Sequence, residues 1–384
     1  MTTLPPTAAH LPATPASPAA EPLALHSRLA TGIVRLLVDV ARDIQPLAAM
    51  TPLEARAERG RLTAEVRAGG RPMPRWTYAR RDHEGLRRAL EAAERCLARE
   101  QRHPLDRWVL GRVRELSLEA SLCEAAGTTA VARLATERYA DPCPDVAQAA
   151  SALAAAWLTE PPQPPETRTI RSDDPRPESL VSRMRAAVGE LRLPFAVVVT
   201  PALASLAATG ETAIYVAAGR DVGEEDAGRT VLHEVEGHAR PRAVSSQAGL
   251  ALLRAGTARG VDHQEGRALV LEERAGYFTP RRKRQLAARH LAVEAMRGGA
   301  TFADVARDLV DAHGLDPADA VLVAERAFRG GDGAHPGLGR ERVYLESFVR
   351  VRRHLAARPE DERVLACGQI AVEAIEALRG VIAR

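Results

Sequence analysis

Val231-Leu-His-Glu-Val-Glu-Gly-His238 decides how this 384-residue chain is read. It carries two histidines and a glutamate in an HExxxH pattern, at the end of a segment from Gly223 that reads as a helix. Glu224, Glu225 and Asp226 fall in the first turn, where negative charge complements the helix dipole. Histidines four apart differ by about 40° around a regular helix and can face one metal ion. Five apart, they differ by about 140°. His233 and His238 can therefore share an ion only across a widened turn or a helix end, and Gly237 makes such a deviation cheap.

Upstream, Phe195-Ala-Val-Val-Val-Thr200 and Thr212-Ala-Ile-Tyr-Val-Ala217 are short β-branched runs bounded by Pro and Gly, and read as strands. The second precedes the metal helix, and an exposed edge there could pair with an extended peptide. Downstream, apolar spacing predicts helices near 243–255, 263–275, 282–297, 302–313, 317–328, 341–356 and 361–382. Earlier, Ile33, Leu36, Leu37 and Val40, then Leu86, Leu90, Ala93 and Leu97, recur at turn spacing. Between them Arg71 to Tyr78 is an extended connector, with Trp76 and Tyr78 expected to pack it onto the core. The division expected is a disordered Pro/Ala-rich tail at 1–24, an N-terminal helical domain at 25–158, a Pro-rich linker at 159–178 and a metal-bearing domain at 179–384.

Composition excludes several classes. The chain is 46% hydrophobic and 27% charged, the balance of an ordinary globular protein, and no apolar run approaches a membrane span. The first 22 residues lack the basic start and apolar stretch of a secretory signal, so a cytoplasmic location is expected. A net charge of +3 is too small for a nucleic-acid footprint. The run Arg281, Arg282, Lys283 and Arg284 is expected to be a solvated helix face. Four scattered cysteines without a CxxC pair suggest reduced thiols.

A catalytic zinc takes three protein ligands and leaves one position open, so the histidines need a third donor. Asp262-His-Gln-Glu-Gly-Arg-Ala268 offers Glu265 and, second to it, His263; Glu272 and Glu273 are rivals. Glu234, beside the first ligand, is placed to act as general base.

These blocks resemble the bacterial QEGLA-motif proteins (flavohemoglobin expression-modulating proteins), a family related to the microtubule-associated tyrosine carboxypeptidases of animals. The resemblance runs from about residue 25 to 356. His233 to His238 matches the HExxxH block, and Gln264-Glu-Gly-Arg-Ala268 the QEGLA block, with Arg267 in place of an apolar residue. Glu325-Arg-Ala-Phe-Arg-Gly-Gly331 and Arg340-Glu-Arg-Val-Tyr-Leu345 are similar to two further family segments. The family implies a zinc metallopeptidase, with His233, His238 and Glu265 as ligands of Zn2+ and Glu234 as the base. It implies a peptide or protein substrate, while charge and the lack of a long apolar run lead us to expect no nucleic-acid or membrane partner. Arg267, close to the presumed ligand, could change what lies over the site.

The fold class expected is α+β, predominantly α-helical: a zincin-like core with a short strand pair beside the metal helix and a helical envelope. Tyr344 is the candidate donor to a developing oxyanion and Arg329 the candidate cation for a substrate's terminal carboxylate. Two other readings stand beside the carboxypeptidase: a metal-bound scaffold without turnover, and a non-heme iron oxygenase using the same two-histidine, one-carboxylate set.

Overall fold

The computed structural model describes residues 28–99, 105–164, 166–201, 203–248 and 251–382. The tail expected at 1–24 lies outside them. The protein is mainly helical, with two small sheets. Among the described residues there are five strands: β1 (Thr169–Arg171), β2 (Ala196–Thr200), β3 (Ala207–Thr209), β4 (Ala213–Ala217) and β5 (Asp221–Gly223). β1 pairs antiparallel with β5, so the Pro-rich segment contributes a strand of its own. The other sheet has the order β2-β4-β3, with β2 parallel and β3 antiparallel to β4.

That order corrects one expectation. The Thr212–Ala217 run is central and paired on both sides, so it has no free edge. The edge nearest the metal helix is β3, whose three small residues carry no β-branched alternation for sequence to reveal. Ala217 N–H bonds to the Leu206 carbonyl and Gly210 N–H to the Ala213 carbonyl, which fixes the alternation. The main-chain groups of Ala207 and Thr209 therefore point away from β4.

Pro144–Thr159, Gly260–Arg274, Pro280–Arg297 and Arg342–Ala357 form the central helical layers. One buried cluster takes Leu37, Leu90, Val113 and Trp157 from before the Pro-rich segment and Leu269, Leu286, Phe348 and Leu378 from after it. The helix Gly260–Arg274 packs most extensively against Arg342–Ala357, and the approach is close. A Cβ at Gly266 would lie 2.4 Å from the Ser347 carbonyl, so only glycine fits beside Glu265. The connector is seated as expected: Trp76 meets Phe302 edge-on at 5.5 Å, and the Tyr78 hydroxyl accepts from Gly330 N–H and donates to the Gly331 carbonyl.

No helix among the described residues is long and apolar enough to cross a membrane. All four cysteines are free thiols.

Candidate metal centre

The predicted helix from Gly223 is regular over Glu224–Leu232 and then widens into a π-helix over His233–Ala239 before resuming as Arg240–Gln247. Hydrogen bonding from i to i+5 brings residues five apart onto one side, so of the two ways open to His233 and His238 the protein uses the widened turn and not a helix end. Two local features support it. Pro241 lacks the N–H that would close a regular bond to the Gly237 carbonyl. Arg267 Nη1 donates to the Glu236 carbonyl at 2.9 Å. Gly237 serves close approach: a Cβ there would stand 2.7 Å from Ala268 Cβ, on the helix that carries Glu265.

The two imidazoles face each other, Nε2 to Nε2, at 3.2 Å. Glu265 Oε2 lies 3.4 Å from His233 Nε2 and 3.6 Å from His238 Nε2. A tetrahedral ion with ligands at 2.0–2.1 Å would separate those ligands by about 3.3 Å. Glu265 Oε2 is buried and has no hydrogen-bond partner, while Oε1 accepts from Arg340 Nη2 at 3.2 Å. A buried carboxylate oxygen left without a donor and aimed between two imidazole nitrogens fits a cation, and these three side chains could together hold a metal ion.

Second partners set both tautomers. His233 Nδ1–H donates to Glu272 Oε1 at 2.7 Å and His238 Nδ1–H to Gln264 Oε1 at 3.0 Å, so both Nε2 lone pairs turn inward. Glu272 is itself gripped by Arg282, Nε to Oε2 at 2.8 Å and Nη2 to Oε1 at 2.9 Å. The basic run is thus not the solvated face expected of it. Arg282 is buried behind His233, Arg281 pairs with Asp226, Lys283 with Glu160, and Arg284 donates to the carbonyls of Leu158 and His313. Tertiary contacts, which apolar periodicity does not encode, spend these charges inside the protein.

The local field is anionic. Burial opposes charge on His233, but the Glu265 and Glu272 carboxylates beside it overcome it and raise the imidazole to about 10. Burial likewise opposes charge on Glu265, yet the two imidazoles and Arg340 hold it well below the usual carboxylate range.

Glu234 is buried beside the pair, and its Oε2 lies 2.8 Å from the Thr209 hydroxyl. Thr209 stands on the β3 edge, so the small sheet orients this carboxylate. Tyr344 reaches the centre through Arg340, whose Nη1 is 3.4 Å from its hydroxyl. Burial and the nearby Glu265 raise the Tyr344 phenol, which keeps its proton. Arg329 caps the C-terminal end of Pro317–Phe328 and bonds through Nη2 to Glu341 Oε1 at 2.5 Å.

The rivals for third ligand go elsewhere. His263 is buried with Nδ1 accepting from Val372 N–H at 2.9 Å, Glu272 orients His233, and Glu273 pairs with Arg352. Arg267 does not overlie the centre; its Nε donates to Glu362 at 2.8 Å. Gln264, Glu272, Arg282 and Thr209 are the residues that sequence reasoning gave no role of this kind. For Gln264 alone a signal existed, its place in the Gln-Glu-Gly block.

Residues 66–384 match the model of the family described as microtubule-associated tyrosine carboxypeptidase. The chain belongs to that family. Its name is that of a carboxypeptidase, a hydrolase class whose substrates are peptides or proteins. No curated protein matches the chain.

Proposed function

We propose that the protein is a zinc-dependent carboxypeptidase with a zincin-like core, hydrolysing the C-terminal bond of a peptide or protein. The observation that carries this reading is the triangle of His233 Nε2, His238 Nε2 and Glu265 Oε2, with sides of 3.2, 3.4 and 3.6 Å, in a member of a carboxypeptidase family. His233, His238 and Glu265 would hold the ion. Zinc there would supply Lewis acidity toward the scissile carbonyl and make a water acidic enough to attack near neutral pH.

The chain's own groups do the rest. Thr209 engages Glu234 Oε2 and leaves Oε1 to take a proton from the attacking water and pass it to the leaving amine. The Tyr344 phenol, kept protonated, donates to the carbonyl oxygen as negative charge develops on it. Arg329 belongs to the cationic end of the site, where a free terminal carboxylate is held. The outward main-chain groups of β3 offer hydrogen bonds to an extended substrate.

The test is metal analysis with hydrolysis of a peptide ending in a free C-terminal tyrosine. About one zinc per chain is expected, and iron in its place would sink the zinc assignment. Glu234→Gln should keep the metal while hydrolysis falls by roughly 10²- to 10⁴-fold. Unchanged turnover in that variant would remove Glu234 from the reaction.

A further inference from the structure

Beyond Arg340 and Tyr344 the charge reverses. Arg289, on Pro280–Arg297, Arg326, near the end of Pro317–Phe328, and Arg329, just past it, converge on Glu341, at the start of Arg342–Ala357. Three guanidiniums face one carboxylate, and the carboxylate does not satisfy them. Only Arg329 bonds to it, through Oε1; Arg289 Nε and Arg326 Nη1 stand 3.7 and 3.8 Å from Oε2, beyond hydrogen-bond reach. Glu341 Oε2 and Arg329 Nε are buried without partners, and neither the Arg289 nor the Arg326 guanidinium makes a hydrogen bond among the described residues. The carboxylate of neighbouring Glu325 is spent on Arg59. Burial, with Arg326 next to it, pushes Arg289 down to about 9, a sign of cationic crowding in a poorly hydrated place.

Surplus planar donors on side chains only 16–18% exposed, with the single Glu341 carboxylate among them, describe a seat for a two-oxygen anion. Tyr344 and Arg340 link the seat to the metal centre. The Arg289 guanidinium lies 5.8 Å from the Tyr344 ring centre and that of Arg340 5.6 Å, and Arg340 also holds Glu265. We infer that Arg289 and Arg326, alongside Arg329, form the subsite for the substrate's C-terminal carboxylate, with Glu341 as the fixed counter-ion that keeps three like charges together. The assignment rests on the carboxypeptidase reading and makes free-acid peptides the substrate class.

The experiment measures binding, so that it does not depend on turnover. Zinc-loaded Glu234→Gln protein is titrated with a fluorescent pentapeptide ending in tyrosine, as the free acid and as its C-terminal amide. The acid should bind about tenfold tighter or more. In Arg289→Gln and Arg326→Gln versions that preference should fall toward unity, with zinc content and melting temperature unchanged, and Arg289→Lys should recover part of it. Equal binding of acid and amide, no binding of either, or a preference that survives both glutamine substitutions overturns the assignment. If instead the preference depends on the arginines while the unsubstituted protein cuts neither peptide, the anion seat stands and the carboxypeptidase reading falls.

Discussion

Glu265 and Glu272 sit seven residues apart on one helix, with side chains 12% and 0% exposed and both beside His233, yet they do opposite work. Glu272 has each oxygen in a short contact, with Arg282 and with His233 Nδ1–H. Glu265 has one oxygen on Arg340 and the other facing two imidazole nitrogens without a donor. A satisfied buried carboxylate fixes geometry, whereas an orphaned oxygen facing two imidazole nitrogens leaves a place for a cation. Identity and burial do not separate the two; the count of donors does.

The strongest way to break this comparison is to neutralise each glutamate in turn. Glu265→Gln removes the anionic donor from the triangle, and zinc content after dialysis should fall to near zero, with hydrolysis lost. His233→Ala and His238→Ala should do the same. Full zinc occupancy in Glu265→Gln would place the ion elsewhere and end the ligand assignment.

Much of this centre was legible beforehand because metal chemistry constrains sequence locally. The five-residue spacing called for a widened turn or a helix end, and the π-helix over His233–Ala239 is the first of these. Most helices also matched their periodic stretches, since burying one face imposes a period. The orienting groups were not legible. Arg282 reads as one of four basic residues, and nothing local shows that its partner is a carboxylate ten positions earlier. Thr209 lies in a strand too short to alternate, so its contact with Glu234 exists only in three dimensions. Arg289 and Arg326 likewise gain meaning only where the middle of one helix and the end of another meet the start of a third.

His263, on the same helix, sharpens the comparison by offering an orphan of another kind. Its Nε2 is buried without a partner, but the ring is an imidazole whose Nδ1 already accepts from Val372. Burial depresses it to about 4, so it stays neutral in the fold and asks for no cation. The sign follows: above pH 6.5 the ring is neutral folded and unfolded, and contributes nothing. As pH falls from 6.5 to 4 the unfolded chain takes up a proton that the folded chain refuses. Stability is lost across that window, up to about 3 kcal/mol. His263→Asn keeps an acceptor for Val372 and should flatten this part of the pH profile in denaturant melts. An identical acid-side fall in both proteins would show that the ring titrates normally in the fold.

The smallest effect is expected at Glu272, and it is the most discriminating. Glu272→Gln keeps the size and one acceptor for His233 Nδ1–H but removes the charge that Arg282 and the imidazole share. All three ligands remain, so zinc should still bind, with affinity weakened about 10- to 100-fold, or about 1.4–2.7 kcal/mol. Competition with a chelator of known affinity measures this directly. A loss as complete as that of Glu265→Gln would make Glu272 a ligand and erase the distinction between the two glutamates. No change at all would mean that packing alone holds the His233 ring, and that the chain from Arg282 through Glu272 to the imidazole contributes only to the fold.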